Sequence, residues 1–392
     1  MYTQNTPVHV KLWHHDFWRL ALANLLVTVS VYMFIPVLPA WMAMYVGVDA
    51  SRYAMGIYAV GLFALGGFCS YFVQRYRRNH VCVVSILTMV ACSLLQYYLP
   101  TLLGHSRSML PTLFIIVRYV IGAAFGLAQM VLMSTLVIDT SESFRRTEAN
   151  HSAAWFGRFS LSLGPLLSLL VYRYLGFQQV VWASCICGLV AIVLIQLVDF
   201  PFKAPEDQLR VFSSDRFFLL HGVPLFVNLM LCTMVVGMIM TLENDVVFYA
   251  MMMAGFLLAL LSQKYVFANA ELKSEIVTGL VLLCASVLML MTDNQTATVY
   301  IMPVTTGLGI GIIGARFLLF FIKLSKHCQR GTSQSSYFLS WELGLTAGIF
   351  IGLGYGVEEK DMLLRVALIT TVLALLMYQV FTHSWYLKNK NR

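Results

Sequence analysis

The sequence predicts an all-α membrane protein of twelve transmembrane helices, arranged as two related six-helix bundles. Three observations predict it. Of the 392 residues, 59% are hydrophobic and 11% are charged, whereas a soluble domain is about 25% charged. Apolar runs of the length a spanning helix needs, about 17 to 25 residues, recur along the whole chain. The stretch from Arg146 to Ser168 also has an echo 184 positions later, starting at Arg330. Arg146 falls on Arg330, His151 on Ser335, Trp155 on Leu339, Arg158 on Glu342, Ser162 on Thr346 and Gly164 on Gly348.

Taken in order, residues 1–17 are polar and rich in histidine, with no small-residue cleavage site after the first apolar run. They read as a cytoplasmic tail and not as a signal peptide. Six spans follow in residues 18–199, at 18–46, 53–73, 80–100, 109–138, 149–172 and 177–199. Residues 200–216, with Pro205-Glu206-Asp207, form the longest polar connection and read as a linker. The second bundle occupies 217–386, with spans at 217–242, 246–262, 275–292, 297–322, 334–357 and 361–386. Residues 387–392 are a second tail. Loops on the side of the two tails hold 18 of the 26 Lys and Arg residues, against four in the opposite loops. The positive-inside rule then places both termini in the cytoplasm.

Duplication is visible elsewhere too. Gln74-Arg75-Tyr76 after span two matches Gln263-Lys264-Tyr265 after span eight. Arg118, Gly122 and Gly126 in span four match Pro303, Gly307 and Gly311 in span ten, each set spaced by four. Glycines at that spacing line one helix face and let a neighbouring backbone approach.

These features resemble the major facilitator superfamily over the chain from about Trp18 to Trp385. The family's loop motif after span two is matched by Ser70, Gln74, Arg75, Tyr76, Arg77 and Arg78, although its acid is replaced by Gln74. Arg118 and Gly122 match the family's span-four motif. Gly164-Pro165 in span five is similar to a motif of the drug:proton antiporter branch, with Ser160 and Ser168-Leu169 where that branch has glycines. Span one resembles the same branch in Tyr32-Met33-Phe34-Ile35-Pro36-Val37-Leu38-Pro39. The resemblance implies two bundles related by pseudo-two-fold symmetry, with a site near the midplane between them.

His151, Trp155, Arg158 and Ser162 are spaced by four, three and four, which is one helix face. Span one offers Asn24, Thr28 and Tyr32 at helical spacing; span seven offers His221, Asn228 and Cys232. Polar stripes on apolar spans must point inward, since lipid cannot satisfy them. They either line a hydrated cavity or bond neighbouring helices. A full charge at membrane depth is costly and marks function by default, so Arg118, Arg158 and Glu342 are the candidates for a substrate and proton pathway, with Asn24, Tyr32, Trp155 and Asn228 around them. Glu342 reads as the only carboxylate well inside a span. Arg118 has three open roles: substrate contact, modulation of a carboxyl group, or a fixed ion pair. Asp139 reads as a loop charge working with Arg145 and Arg146, and Glu243 and Asp245 as solvated loop residues. The isolated His14-His15 and His327 and the cysteine usage carry no metal-ligand or disulfide pattern.

The function expected is secondary transport by alternating access, in the form of proton-coupled export of small amphipathic organic molecules. The alternative is proton symport that imports a small nutrient or metabolite, for which two cavity arginines would suit an anion. A membrane-embedded enzyme or a signalling protein is a third class, and nothing in the sequence supplies its chemistry. No cofactor is expected beyond a proton gradient, since no ATP-binding motif is present. The expected partners are substrate, protons and the bilayer, without nucleic acid, for a monomer in a bacterial-type inner membrane.

Overall fold

The computed structural model describes residues 11–104, 107–142, 144–200, 210–267, 270–292, 296–326, 329–356 and 359–391. The N-terminal ten residues, the linker segment 201–209, His327 and Arg392 lie outside the described residues. The first half is built from α1 (His15–Tyr32), α2 (Leu38–Val46), α3 (Val48–Ala64), α4 (Cys69–Arg75), α5 (Arg78–Leu103), α6 (Leu110–Val131), α7 (Val137–Asp139), α8 (Arg146–Leu175) and α9 (Phe177–Gln196). The second half holds α10 (Val223–Leu242), α11 (Val246–Tyr265), α12 (Leu272–Met291), α13 (Met302–Leu324), α14 (Arg330–Tyr355), α15 (Lys360–Met377) and α16 (His383–Asn389).

Among the described residues, eleven helices are long and apolar enough to cross a membrane. The first expected span differs because it is broken. Helix α1 begins with Asp16 and Arg19, and the chain passes through turns at 33–37 before α2. Pro36 falls there and Pro39 sits in the first turn of α2; proline removes an amide donor and crowds the preceding turn. Hydrogen bonds from Met33 N to Val29 O and from Leu38 N to Phe34 O carry the helical path through the break.

Within the first half, α1 packs on α8 and α9, α3 on α6, and α5 on α6 and α9. In the second half, α10 packs on α14 and α15, α11 on α13, and α12 on α13 and α15. The halves meet where α3 packs on α14 and where α8 packs on α11. Under the repeat, α3 corresponds to α11 and α8 to α14, so each contact is the image of the other.

The glycine pattern shows the duplication at atomic scale. A Cβ on Gly122 would lie 2.2 Å from Tyr58 O, and one on Gly307 would lie 2.2 Å from Met252 O. Gly126 and Gly311 sit one turn further along the same two seams, against Leu62 and Ala259. Gly61 faces Gly122 as Gly255 faces Gly307. That pairing puts Gly255 194 positions after Gly61, whereas Gln263 follows Gln74 by 189. The first half therefore carries five extra residues here, where its helix breaks into a short 3-10 turn at Gly66–Phe68.

Arg19 donates to Leu197 O at 3.0 Å, and Asn391 donates to Leu324 O at 2.8 Å. The described chain ends thus share one side with the ends of α9 and α13, called the terminal side below. The loop motif lies there. Gln74 donates to Ser70 Oγ at 2.9 Å, and Arg78 makes an ion pair with Asp139. Asp139 therefore pairs with the start of α5 and not with Arg145 or Arg146: Arg145 pairs with Glu148 at 2.8 Å, and Arg146 reaches Ser141 O. Arg75 and Arg77 are exposed. With Gln74 in the acid's place, the charge pair of this loop is supplied by Asp139.

Candidate functional site

Arg118, Arg158 and Glu342 are buried, at 3%, 2% and 1% exposure. Glu342 sits midway along α14, where it meets the first half. Tyr32 OH, from the end of α1, donates to Oε1, and Tyr58 OH, from α3, donates to Oε2 at 3.4 Å. Neither arginine takes part in an ion pair among the described residues. Tyrosine hydroxyls hold Glu342, and the fixed ion pair that was one open role for Arg118 is not formed.

Arg158 lies on α8 with its Cζ 4.1 Å above the centre of the Trp155 ring. A guanidinium over an indole face is attracted by the ring's negative potential, and more strongly when both are dry. One amino group approaches His151 O at 3.5 Å, while Nε and Nη1 have no protein partner. Across the interface, a Cβ on Gly314 of α13 would meet Trp341 Cζ3 at 2.6 Å, Tyr337 OH at 3.1 Å and Arg158 Cδ at 3.3 Å. Only glycine leaves room for these three groups to converge.

Arg158 and Glu342 share one central cavity of about 50 Å³. Its walls also carry Asn24, Thr28 and Tyr32 from α1, Gln129 from α6, and Gln334, Tyr337, Phe338 and Trp341 from α14. Gln129 Nε2 donates to Thr28 Oγ1 at 2.9 Å. Asn24 does both jobs expected of a polar stripe, lining the cavity while donating to Ala153 O at 2.9 Å. Asn228 is a correction. It faces α15 and donates to Ala374 O at 3.0 Å, so it holds helices together outside the cavity. His221 is exposed just before α10, which breaks the span-seven stripe.

Arg118 occupies a separate void of about 20 Å³ on the other face of Glu342, with Tyr58, Val31 and Thr346. Its Cζ stands 5.0 Å from the Tyr58 ring centre, and its Nε and Nη1 have no protein partner. Beyond lies a vestibule of about 240 Å³ between the α1–α2 break, the start of α3 and the ends of α10 and α14.

Contacts between the two parts of the chain lie on both sides of the central cavity. On the terminal side, Arg216 donates to Thr135 Oγ1 at 2.8 Å, and Gly331 lies against Ser134. On the far side, Arg52 donates to Phe350 O at 3.1 Å, and Asn244 donates to Pro36 O at 2.8 Å. Gly164, inside α8, lets that helix come within 2.9 Å of Tyr32 Cβ at its would-be Cβ, with Pro165 buried beside it.

Sequence reasoning missed a second buried carboxylate. Glu275, in the first turn of α12, is 0% exposed and binds Arg316 of α13 through both oxygens, one contact at 2.7 Å. It lies at the start of span nine, where spacing along the helix did not single it out. The signal was Arg316 itself, a lone arginine inside span ten whose charge a buried acid can offset.

Fold and site together define a multi-pass membrane transporter with a central polar cavity between two repeats. The chain belongs to the Major Facilitator Superfamily, whose family model matches residues 20–352. It is a secondary transporter and not an enzyme. A bacterial homologue of the iron transporter ferroportin in its outward-facing state superposes with a TM-score of 0.66 at 15% identity, covering 94% of this chain and 99% of that one. A mutant of the nucleoside transporter NupG gives 0.66 at 9% identity, covering 93% and 100%. An auto-inhibited peptide transporter of the POT family gives 0.64 at 11%, covering 97% and 98%. At such identities the likeness shows the fold alone. No curated protein matches the sequence.

Proposed function

We propose that this chain is a proton-coupled symporter of a small amphipathic organic anion, with Glu342 as the proton carrier and Arg158 as the anchor for the substrate's charge. The observation that supports it is the separation of opposite charges across one cavity. Glu342 is held by Tyr32 and Tyr58, and Arg158 has no acidic partner. A buried carboxyl without a cation can change its protonation state without breaking an ion pair. Adding a proton leaves the walls more positive, which draws an anion in. Opposite unit charges 4 Å apart attract by about 4 kcal/mol at an effective dielectric of 20. The aromatic wall of Tyr32, Tyr337, Phe338 and Trp341 suits an apolar body. On this reading the protein works as a monomer in a bacterial-type inner membrane with both termini cytoplasmic.

Export by proton antiport is the second reading. The two stretches that resemble the antiporter branch, Gly164-Pro165 and the segment from Tyr32 to Pro39, pack against each other. Vesicles containing the purified protein, offered radiolabelled aryl sulfonates and carboxylates or neutral and cationic amphipaths under an imposed pH gradient, separate the two. Anion movement in the direction of the proton supports symport; movement of neutral or cationic amphipaths against it supports export. Glu342→Gln is expected to abolish gradient-driven transport while exchange without a gradient persists. Normal driven transport by that variant would reject Glu342 as carrier.

A further inference from the structure

We propose that protons reach Glu342 from the far side through the small void beside Tyr58 and Arg118, a compartment separate from the substrate cavity. The inference rests on Glu342 being the proton carrier. The void and the central cavity share two residues as walls, Tyr32 and Glu342. The void and the far-side vestibule share two others, Ile35 and Ile349. The three spaces therefore form a series, with Ile35 and Ile349 as the neck and the Tyr32–Glu342 pair as the partition.

The chemistry on the two faces of the carboxyl differs accordingly. Oε1 is capped by Tyr32, whose side chain belongs to the partition. Oε2 receives the longer bond from Tyr58, which belongs to the void. A void of about 20 Å³ has room for a water molecule. Arg118, with two buried N–H groups lacking protein partners, gives such a water donors to bind. The vestibule reaches the surface at the exposed residues Ala40, Val48 and Asn244. On the opposite face, Phe338 packs edge-on against Phe125 at 5.6 Å, and Phe125 stacks on Tyr58 at 6.2 Å. This chain of rings runs on the α6 side from Tyr58 in the wall of the void to Phe338 in the wall of the cavity. The ionisable groups lining the two spaces around Glu342 are Tyr32 from α1, Tyr58 from α3, Arg118 from α6, Arg158 from α8 and Tyr337 from its own helix. The arginines are on opposite sides of the partition. A proton can then reach Glu342 while substrate occupies the central cavity, and the two can bind in either order.

The test needs no known substrate. Full-length protein in lipid vesicles is moved into heavy water, and the infrared band of the protonated Glu342 carboxyl is followed, identified as the band lost in Glu342→Gln. Ile349→Trp, filling the neck, is expected to slow deuterium exchange of that band about tenfold, while Ala154→Leu in the central cavity changes it by less than about twofold. Tyr58→Phe should shift the band by removing its hydrogen bond. Slowing by Ala154→Leu alone, or equally by both plugs, overturns the separate path. Should Ile349→Trp not fold, Ile349→Ala widens the neck; faster exchange supports the path and an unchanged rate overturns it. Absence of any Glu342 carboxyl band across the pH range removes the proton carrier itself, and this inference with it.

Discussion

Helices α8 and α14 occupy corresponding places in the two halves, and each carries one buried charge at the same register. Arg158 of the first half reaches toward Tyr337, Trp341 and Gly314 of the second. Glu342 of the second half reaches toward Tyr32 and Tyr58 of the first. The position is inherited and the chemistry is divided. Glu342 is fully engaged by neutral donors, whereas Arg158 keeps two N–H groups without a protein partner on an aromatic face. The comparison teaches that a duplicated scaffold can place two unlike tools at one midplane: a group that exchanges a proton, and a fixed charge that binds.

If that division holds, the two charges must fail differently when removed. Glu342→Gln should cut gradient-driven transport by about a hundredfold or more, the scale of losing a positioned proton-transfer group, with exchange retained. Arg158→Gln should instead weaken substrate binding in a direct binding assay by about 1.5–3 kcal/mol, the worth of a hydrogen bond to a charged group. Arg158→Lys should recover little of it, since an ammonium lacks the planar fork that lies on Trp155. Identical phenotypes for the two neutral variants would break the comparison.

Gly314→Ala probes the Arg158 side sterically. Its Cβ has nowhere to go between Trp341, Tyr337 and Arg158, and overpacking of this kind costs about 1–3 kcal/mol. A lowered Tm together with weakened binding is expected; a silent substitution would show that the three groups are not held together. Away from both charges, Asp139→Asn removes a half-exposed ion pair with Arg78 and should cost less than about 1 kcal/mol. Exchanging the two residues, Arg78→Asp with Asp139→Arg, should restore it.

The smallest effect concerns pH at the end of α10. Half-burial pushes the Glu243 carboxyl above its ordinary value, Lys360 opposes the rise and Asp245 adds to it. The folded chain then holds this proton more tightly than the unfolded one. Stability from this group is present below its ordinary value and is lost as pH rises through the raised one. Glu243→Gln should remove that loss in thermal unfolding measured across mildly acidic to neutral pH.

The sequence by itself determined the membrane class, the two halves, the seams at Gly122 and Gly307 and the burial of Arg118, Arg158 and Glu342. Each of these follows from composition, span length and residue spacing along a single helix, which are local quantities. It also named Tyr32, Asn24 and Trp155, because they lie on polar stripes. Who stands opposite whom was decided only in three dimensions. Tyr32 and Tyr58 lie 310 and 284 positions from Glu342; a helical period states which face a residue occupies and not which helix meets it. For the same reason Asn228 looked like Asn24 and turned out to brace α15, and Glu275 was not singled out although Arg316 closes on it. Charge partners across a bundle are set by how helices pack, and packing is the sum of many contacts that no one helix records.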